Sequence, residues 1–329
     1  MWLVYLPASF YFVYLAIKAR TFFFFAASNP TIENGGLLFE SKWKIFNLIP
    51  NDLFPSTLFV NENEEMDALL LRLQLANIKF PFIAKPDVGG RGFGVMKITC
   101  IDDLIKYRDV VRVSFLIQEY IDFPLELSVF YVRNPNSIKG EITSVTVKEL
   151  LTIKGDGVST IDELINHNDR AFLQYSVLRK DDGMNFNEVL ELNKVKTLVP
   201  YGNHVRGAKF LDYSHIIDSE LTETFDNISS KIDGFYFGRF DIRCSSIEDL
   251  KKGKNISILE LNGAGAEPAH IYDPNFSYFK AQKVLCSYFK NMYMVSSANH
   301  KLGVPYMTLK EFVEIRKLEK QYKSKINLI

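Results

Sequence analysis

Hydrophobic and polar positions repeat with two different periods along the chain, and these predict a fold of mixed helices and strands. Residues 61–77 place Met66, Leu69, Leu70 and Leu73 on one side of a predicted helix, as a repeat of 3.6 residues requires. A second helix is predicted at 102–109. Strands are predicted over four short runs, namely 57–60, 80–85, 93–98 and 115–119. Together these elements predict a small α/β lobe.

Beyond residue 120 the patterns predict a larger lobe around an antiparallel sheet, which extends to about residue 290. A charged terminal helix is predicted over 308–325. Two places have the spacing of a capping box, in which a Thr and a Glu three residues later hold the start of a helix. They are Thr160 with Glu163, and Thr308 with Glu311.

Three side chains with oxygen atoms lie on two consecutive predicted strands, Asp241 on the first and Glu260 and Asn262 on the second. Residues two apart on a strand point to the same face, so Glu260 and Asn262 project together, and a neighbouring strand would bring Asp241 beside them. Such ligands suit Mg²⁺ that is bound together with phosphate. Arg239 would share the Asp241 face and contact the same phosphates. An ordinary half-buried sheet shows the same polar alternation, and that interpretation stays open at this point.

A glycine-rich segment lies between two predicted strands, within residues 80–98. Its four glycines are Gly89, Gly90, Gly92 and Gly94. A P-loop or a dinucleotide fingerprint would open a helix, and no helix is predicted here. Backbone N–H groups of such a flap can close over a phosphate, and Lys85, at the end of the first strand, would add a positive charge. A plain tight hairpin is the alternative, although hairpins seldom need four glycines.

These two motifs together resemble the ATP-grasp superfamily of carboxylate–amine ligases over roughly residues 41–275. The resemblance is to D-alanine–D-alanine ligases and to the ATP-grasp part of cyanophycin synthetases. It implies an ATP-grasp fold of the α+β class, with two α/β lobes, ATP held between them and a reduced N-terminal domain. The ATP-binding residues that it implies are Lys42, Lys85, Gly89, Gly90, Gly92, Gly94, Gln118, Glu119, Tyr120, Ile121 and Glu126.

Within this resemblance each group has an implied role. Residues 118–121 form the strand end and hinge that hold adenine, and Glu126 holds the ribose hydroxyls. Asp241, Glu260 and Asn262 are the implied metal ligands. Lys42 follows Ser41, where the family has an Asp-Lys pair, so this match lacks the Asp.

Two further stretches resemble the cyanophycin synthetase side. Residues 154–164 resemble its Gly-Asp-Gly loop and the short helix that follows. Residues 201–212 take the place of its Asn- and Gly-rich substrate loop, but with His204, Arg206 and Lys209 added. Lys148 lies near the position where relatives carry a basic residue that faces the transferred phosphoryl group. The catalytic residues implied are therefore Arg239, Arg206 and Lys148, although a lone lysine or arginine is often only a solvated surface residue.

The activity implied is an ADP-forming ligation of a carboxylate to an amine through an acyl phosphate, with ATP and Mg²⁺, or Mn²⁺ in its place. The expected substrates are small-molecule or peptide carboxylates and amines. Two alternatives stay open, an ATP-grasp kinase that phosphorylates a hydroxyl, and a membrane-attached nucleotide-binding protein without turnover.

Composition agrees with a folded enzyme of 329 residues. The 39 basic and 39 acidic residues balance, which argues against a nucleic-acid partner, since such proteins usually carry a basic excess. The three cysteines are widely spaced and favour reduced residues of a cytoplasmic protein over a disulfide framework or a zinc site.

The amino terminus differs from the rest, because residues 2–17 carry no charge and are followed by Lys18, Arg20 and an apolar stretch to Ala27. A helix of that length reaches about 24 Å, short of the roughly 30 Å hydrocarbon core. Residues 1–27 therefore predict membrane contact, as a short span or as a helix in the interface. The two cations would then keep the remaining chain on the cytoplasmic side. A buried helix that covers the catalytic core is the alternative.

Four segments are expected from these observations. They are an apolar N-terminal segment or membrane anchor (1–40), the small ATP-grasp lobe (41–119), the large lobe with the metal site (120–300) and the charged C-terminal helix (301–329). Since only 40 residues precede Ser41 and Lys42, the first substrate-binding domain of the relatives is expected to be missing or much reduced.

Overall fold

Two main antiparallel sheets organise the chain. The structure is a computed structural model that describes residues 2–90, 92–179, 184–202 and 204–326. Its mixture of helices and strands confirms the predicted α+β class. The strands are β1 (Thr57–Val60), β2 (Phe82–Pro86), β3 (Met96–Ile98), β4 (Phe115–Glu119), β5 (Leu125–Val132), β6 (Glu141–Glu149), β7 (Thr152–Lys154), β8 (Val195–Thr197), β9 (Lys209–Asp212), β10 (Phe237–Cys244) and β11 (Ile256–Asn262).

The helices cover both lobes and the two ends of the chain. They are α1 (Trp2–Ala19), α2 (Lys42–Phe46), α3 (Met66–Leu75), α4 (Ile101–Val110), α5 (Ile161–Asn166), α6 (Asp169–Phe172), α7 (Tyr175–Leu178), α8 (Ser219–Ser230), α9 (Ile247–Lys251), α10 (Tyr278–Lys301) and α11 (Leu309–Ser324). Both predicted capping boxes form, at the starts of α5 and α11. The helix predicted over 61–77 is shorter, because Glu64 accepts a hydrogen bond from the N–H of Asn61 and the residues before Met66 form a turn.

The small lobe is a four-stranded sheet in the order β1–β4–β2–β3, with α3 and α4 packed on it. Leu69 of α3 and Leu104 of α4 meet Phe82 and Phe115 of the strands, and these four side chains are almost entirely buried. Since apolar surface removed from water stabilises a fold by about 25 cal/mol per Å², this core holds the lobe together.

The large lobe is a five-stranded sheet in the order β11–β10–β5–β6–β9. Alternate residues of β5 face opposite sides, as a pleated strand requires. Leu127, Val129 and Tyr131 pack into a core that includes α8 and α9. Phe130 and Val132 pack on the other side, against residues of α1 and α10. Helices α1 and α10 thus cover one part of a sheet face, and the rest of that face is left for a cavity.

The amino-terminal helix α1 packs along α10, where the ring centroids of Phe12 and Phe289 lie 5.2 Å apart. Leu15 and Ala16 are buried in the same contact. This side of α1 belongs to the protein core, as the alternative interpretation of the segment expected. Across the described residues, no helix combines the length and the apolar character needed to cross a membrane.

Two helices cut across the predicted segment boundaries. Ile45 and Phe46 of α2, which was expected in the small lobe, pack into the core of the large-lobe sheet. Helix α11 joins the lobes, because Phe312 stacks on Phe23 of the large-lobe core at 4.8 Å while Tyr322 packs on the small-lobe core. The four-segment division itself stays a prediction.

Candidate active site between the two lobes

The glycine flap joins β2 to β3, which pair as an antiparallel hairpin, as the sequence predicted. Gly89, Gly92 and Gly94 have φ angles of 134°, 70° and 70°, a region that side chains rarely adopt, which explains the glycines. A Cβ atom added to Gly90 would meet nothing within 4 Å. The flap backbone therefore faces open space and can approach a ligand closely. Arg91 of the flap lies outside the described residues.

Two buried lysines lie beneath the flap. The Lys85 ammonium donates to Gln118 Oε1 at 2.9 Å and to the carbonyl oxygen of Leu259 at 3.0 Å. The Lys42 ammonium donates to a flap carbonyl and lies 3.4 Å from Glu260 Oε1. One lysine from each side of the cavity thus points at the same place, which favours an anionic ligand.

The turn that carries Lys42 is held by a carboxylate from the other lobe. Ser41 caps α2, and its hydroxyl donates to Asp87 Oδ1 at 3.0 Å. The N–H of Trp43 donates to the same oxygen at 2.9 Å. Asp87 therefore fixes the start of α2, and with it the position of Lys42, from the neighbouring lobe.

Asp241 lies at the centre of a buried charge network on β10. Arg239 holds it with two hydrogen bonds of 3.0 Å, and the Lys148 ammonium lies 3.3 Å from Oδ1. Ser128, opposite Asp241 on β5, donates to the same carboxylate. Burial raises the pKa of Asp241, but Arg239 and Lys148 outweigh it and hold the pKa below its usual value. The carboxylate is therefore ionised at neutral pH.

Glu260 and Asn262 lie beside this network, because Asp241 pairs with Glu260 and Arg239 pairs with Asn262 between β10 and β11. Asn262 Nδ2 donates to Asp241 Oδ2 at 3.2 Å. Burial alone would raise the pKa of Glu260. The nearby charges of Lys42 and Lys85 lower the pKa by more than burial raises it, so the pKa lies below its usual value. Asp241, Glu260 and Asn262 therefore lie next to one another, as the sequence predicted.

This donor set fits a metal that shares its coordination with phosphate. Within the described residues no group of three or more His, Cys, Asp or Glu side chains could hold a metal ion. Two ionised carboxylates and one amide oxygen suit Mg²⁺, which usually takes one or two protein carboxylates and completes its shell with phosphate and water. They do not suit a cage built from protein ligands alone.

Glu126 ends the network near the hinge. Its Oε2 accepts hydrogen bonds from Arg243 at 3.2 and 3.3 Å, and its Oε1 lies 3.4 Å from the Lys148 ammonium. Arg243 also donates to the carbonyl oxygen of Ile121 at 2.6 Å. The N–H of Gly202 donates to Glu126 Oε1 at 3.0 Å, in a gap so narrow that a Cβ on this glycine would lie 2.5 Å from that oxygen. Glu126 thus joins the hinge, the metal-side network and the 201–212 loop.

A cavity of about 750 Å³ brings most of the predicted residues together. The predicted residues that line it are Lys42, Lys85, Gly89, Gly90, Gly92, Gln118, Glu119, Tyr120, Ile121, Glu126, Lys148, Arg239, Asp241, Glu260 and Asn262. Gly94 is not among the lining residues, and its carbonyl oxygen accepts a hydrogen bond from the Tyr107 hydroxyl. Arg206 lies on a short turn whose other residues, His204 and Val205, line the cavity while Arg206 does not. Asn203 of this loop is outside the described residues.

Sequence reasoning missed several residues of this cavity. Arg243 has a visible signal, because it follows Arg239 and Asp241 at a spacing of two on the same strand. Glu267 and Tyr272 have none, since they come together in a turn, where the Tyr272 hydroxyl donates to Glu267 Oε2. The wall contributed by α11 is also unpredictable from local pattern. Its lining residues are Arg316, Glu319, Tyr322 and Lys323.

A pH dependence of the affinity for a phosphate-bearing ligand is expected from Lys85. Burial lowers the pKa of its ammonium from 10.5 to about 8, although Glu260 opposes the change. Above about pH 8 Lys85 is a neutral amine in the unliganded protein, so such an anion binds together with a proton, and its affinity should fall by up to about tenfold per pH unit. Calorimetry in two buffers of different ionisation enthalpy would measure this proton uptake. If a Lys85→Met variant kept the same pH profile, the pH dependence could not be assigned to Lys85.

The same shift has a consequence for stability. Since the folded-state pKa is depressed, the unfolded chain holds a proton between about pH 8 and 10.5 that the folded chain has released. The contribution of Lys85 to the free energy of unfolding therefore rises with pH across this window and is least favourable below it.

Comparisons with known proteins gave no matching family model and no matching curated sequence. Solved structures similar to this chain include D-alanine–D-alanine ligase from Bacillus anthracis, with a TM-score of 0.46 and 14% identity over 80% of this chain and 69% of that one. They also include VanG D-Ala:D-Ser ligase from Enterococcus faecalis, with a TM-score of 0.43 and 13% identity over 76% of this chain. A bifunctional glutathione synthetase from Pasteurella multocida has a TM-score of 0.36 and 14% identity over 72% of this chain. This chain spans 61% of the Enterococcus ligase and 34% of the glutathione synthetase.

Proposed function

We propose that this protein is an ATP-dependent carboxylate–amine ligase that forms ADP and works through an acyl phosphate. The observation that carries the proposal is a cavity in which a glycine flap with Lys42 and Lys85 faces the ionised pair Asp241 and Glu260. Five cations gather at the carboxylates of this cavity, which suits a triphosphate, and the acidic side chains Glu40 and Glu267 also line it. The cations are Lys42, Lys85, Lys148, Arg239 and Arg243, and the carboxylates that interact with them include Glu126, Asp241 and Glu260.

Metal and nucleotide binding divide among these residues. Asp241, Glu260 and Asn262 would hold Mg²⁺, or Mn²⁺ in its place, and the ion when bound supplies positive charge against the phosphates. Lys42, Lys85 and the flap N–H groups would hold the phosphates. The hinge at Glu119–Ile121 and the Glu126 region would hold the nucleoside, in agreement with their place at the cavity wall.

The reaction that fits this site has two steps. A substrate carboxylate attacks the γ-phosphorus of ATP and releases ADP, and an amine then displaces phosphate from the acyl phosphate. Arg239 and Lys148 would stabilise the charge that develops on the transferred group and on the oxyanion, and we propose the same role for Arg206 from its loop. The flap would keep water from hydrolysing the intermediate.

ADP release, measured over a panel of amino acids, short peptides and membrane lipids, tests the proposal. A ligase releases free phosphate together with a new amide that mass spectrometry detects. A kinase forms ADP and a phosphorylated product without free phosphate. Tight ATP binding with no ADP release in the presence of any acid and amine pair would favour a nucleotide-binding protein without turnover, and would contradict the ligase.

For location we propose the cytoplasm, with attachment to the cytoplasmic face of a membrane through residues 1–27. ATP-dependent chemistry requires the cytoplasmic side, and Lys18 with Arg20 after the apolar run favours the same orientation. The acid and amine would be small molecules or peptides, and a membrane-located acceptor fits this placement.

A further inference from the structure

Helix α1 is apolar on two opposite sides, but only one side is packed. The inner side reaches α10 through Ala8, Phe12 and Leu15. The outer side carries Phe10 and Ile17, of which 72% and 70% are exposed. The exposed apolar stripe of α1 consists of Leu6, Phe10, Val13, Tyr14 and Ile17. A helix that is hydrophobic all round is normally covered on every side, so the stripe requires an occupant.

The charge of this helix layer identifies the occupant. Neither α1 nor α10 contains an aspartate or a glutamate, and the acid-free stretches extend over residues 2–32 and 274–310. The chain as a whole has equal numbers of acidic and basic residues, so the acids have been excluded from this layer. The cations of these two stretches are Lys18, Arg20, Lys280, Lys283, Lys290, Lys301 and Lys310.

On each of the two helices, exposed cations occur together with exposed apolar side chains. On α10, Lys283 and Lys290 are exposed, and so are Phe279 and Met294. Basic residues beside exposed aromatic and aliphatic side chains are the pattern by which a helix lies in the interface of an anionic bilayer. A second copy of this chain fits less well, because a two-fold interface would place like cations against each other.

We propose that the α1–α10 face binds the surface of an anionic membrane, with α1 in the plane of the interface. The exposed apolar stripe enters the boundary between headgroups and acyl chains, and the lysines contact lipid phosphates. This inference rests on the membrane location proposed above. It specifies how the protein binds there: α1 lies in the interface and no helix crosses the bilayer.

The inner side of α1 sets a limit on the test. The Tyr5 hydroxyl lies 3.2 Å from that of Tyr272, which lines the cavity, and Leu15 is part of the core. Deleting residues 1–27 would therefore damage the fold and the cavity together. Substitutions on the outer side leave both intact.

The experiment is sedimentation of the full-length protein with vesicles of phosphatidylcholine alone and of an equimolar mixture with phosphatidylglycerol. We expect binding to the mixed vesicles that weakens as salt rises. The double variant Phe10→Asp/Ile17→Asp should lose about tenfold or more in vesicle affinity, because two large apolar side chains no longer enter lipid. Ile138→Asp, which changes a side chain that is 90% exposed elsewhere, should bind as wild type does.

The charge component is tested separately. Lys283→Glu/Lys290→Glu should lose about fivefold or more for each lysine on the mixed vesicles. The control Lys252→Glu/Lys254→Glu, at exposed positions after α9, should change little. ATP binding is measured on every variant, so that a failed fold or a failed nucleotide site is told apart from a lost membrane surface.

Three results would overturn the proposal. The wild type could stay in the supernatant with anionic vesicles, or the Phe10→Asp/Ile17→Asp variant could bind them as the wild type does. The wild type could also dimerise without lipid and become monomeric in this variant, which would make a second copy the occupant. Wild-type vesicle binding without any ATP binding would sustain this surface and contradict the ligase.

Discussion

Replacing Glu260 by glutamine is expected to abolish ATP turnover, with a loss of about a hundredfold or more, since one carboxylate at a metal-bridged phosphate site supplies several kcal/mol of transition-state stabilisation. Glu260 faces Lys42 and pairs with Asp241 across the strands, and its pKa is held below the usual value. The variant removes that charge and replaces one acceptor oxygen by an NH2 donor, while it keeps the shape of the side chain. ADP release at saturating ATP and Mg²⁺ measures the effect.

Glu260 is the cleaner of the two carboxylates for this test. Its side chain is 31% exposed, whereas that of Asp241 is 7% exposed and holds Arg239 and Lys148. Asp241→Asn should also abolish turnover, but it leaves two buried cations with a neutral partner and should lower the thermal unfolding midpoint as well. Glu248→Gln, on the exposed side of α9, is the matched control. Full activity in Glu260→Gln would show that the metal assignment is wrong.

Replacing Lys85 by alanine or methionine is expected to weaken ATP binding by about ten- to a hundredfold, the range of one hydrogen bond to a charged group. Lys85 lies in the cavity under the flap, and its present partners, Gln118 Oε1 and the Leu259 carbonyl oxygen, are neutral. Its charge is therefore available to a phosphate. Calorimetric titration with ATP and Mg²⁺ measures the change.

Methionine is the better replacement, because the Lys85 Nζ lies 5.0 Å from the centroid of the Phe46 ring and a side chain of similar length still reaches that ring, without the charge. Burial disfavours the Lys85 ammonium, so Lys85→Met should leave the free energy of unfolding unchanged or raise it. Lys79→Met, at an exposed position before β2, should bind ATP as the wild type does. An unchanged ATP affinity in Lys85→Met would show that the flap is a plain hairpin and does not bind phosphate.

Residues close in sequence made much of the site predictable. The Asp241, Glu260 and Asn262 arrangement follows from strand alternation and from the pairing of consecutive strands. The flap follows from four glycines between two strands, and three of them have the positive φ that explains them. Arg206 is predicted from its loop, but its side chain does not line the cavity.

Contacts between distant segments were decided only by the tertiary structure. Nothing in the local pattern joins Ser41 to Asp87, or Glu126 to Arg243, because these pairs are 46 and 117 residues apart. The same holds for α11, which reaches the small lobe and lines the cavity, although its sequence shows only a charged helix.

The amino-terminal segment shows most clearly which properties the sequence determined and which only the tertiary structure decided. By itself the sequence determined that residues 2–17 form an uncharged helix-length run followed by cations, because composition and spacing are local properties. It could not determine whether this run is core or membrane contact, since both environments favour the same apolar side chains. The tertiary structure buried one side against α10 and left the other side exposed, because only packing against a distant helix decides which face of an all-apolar helix is removed from water.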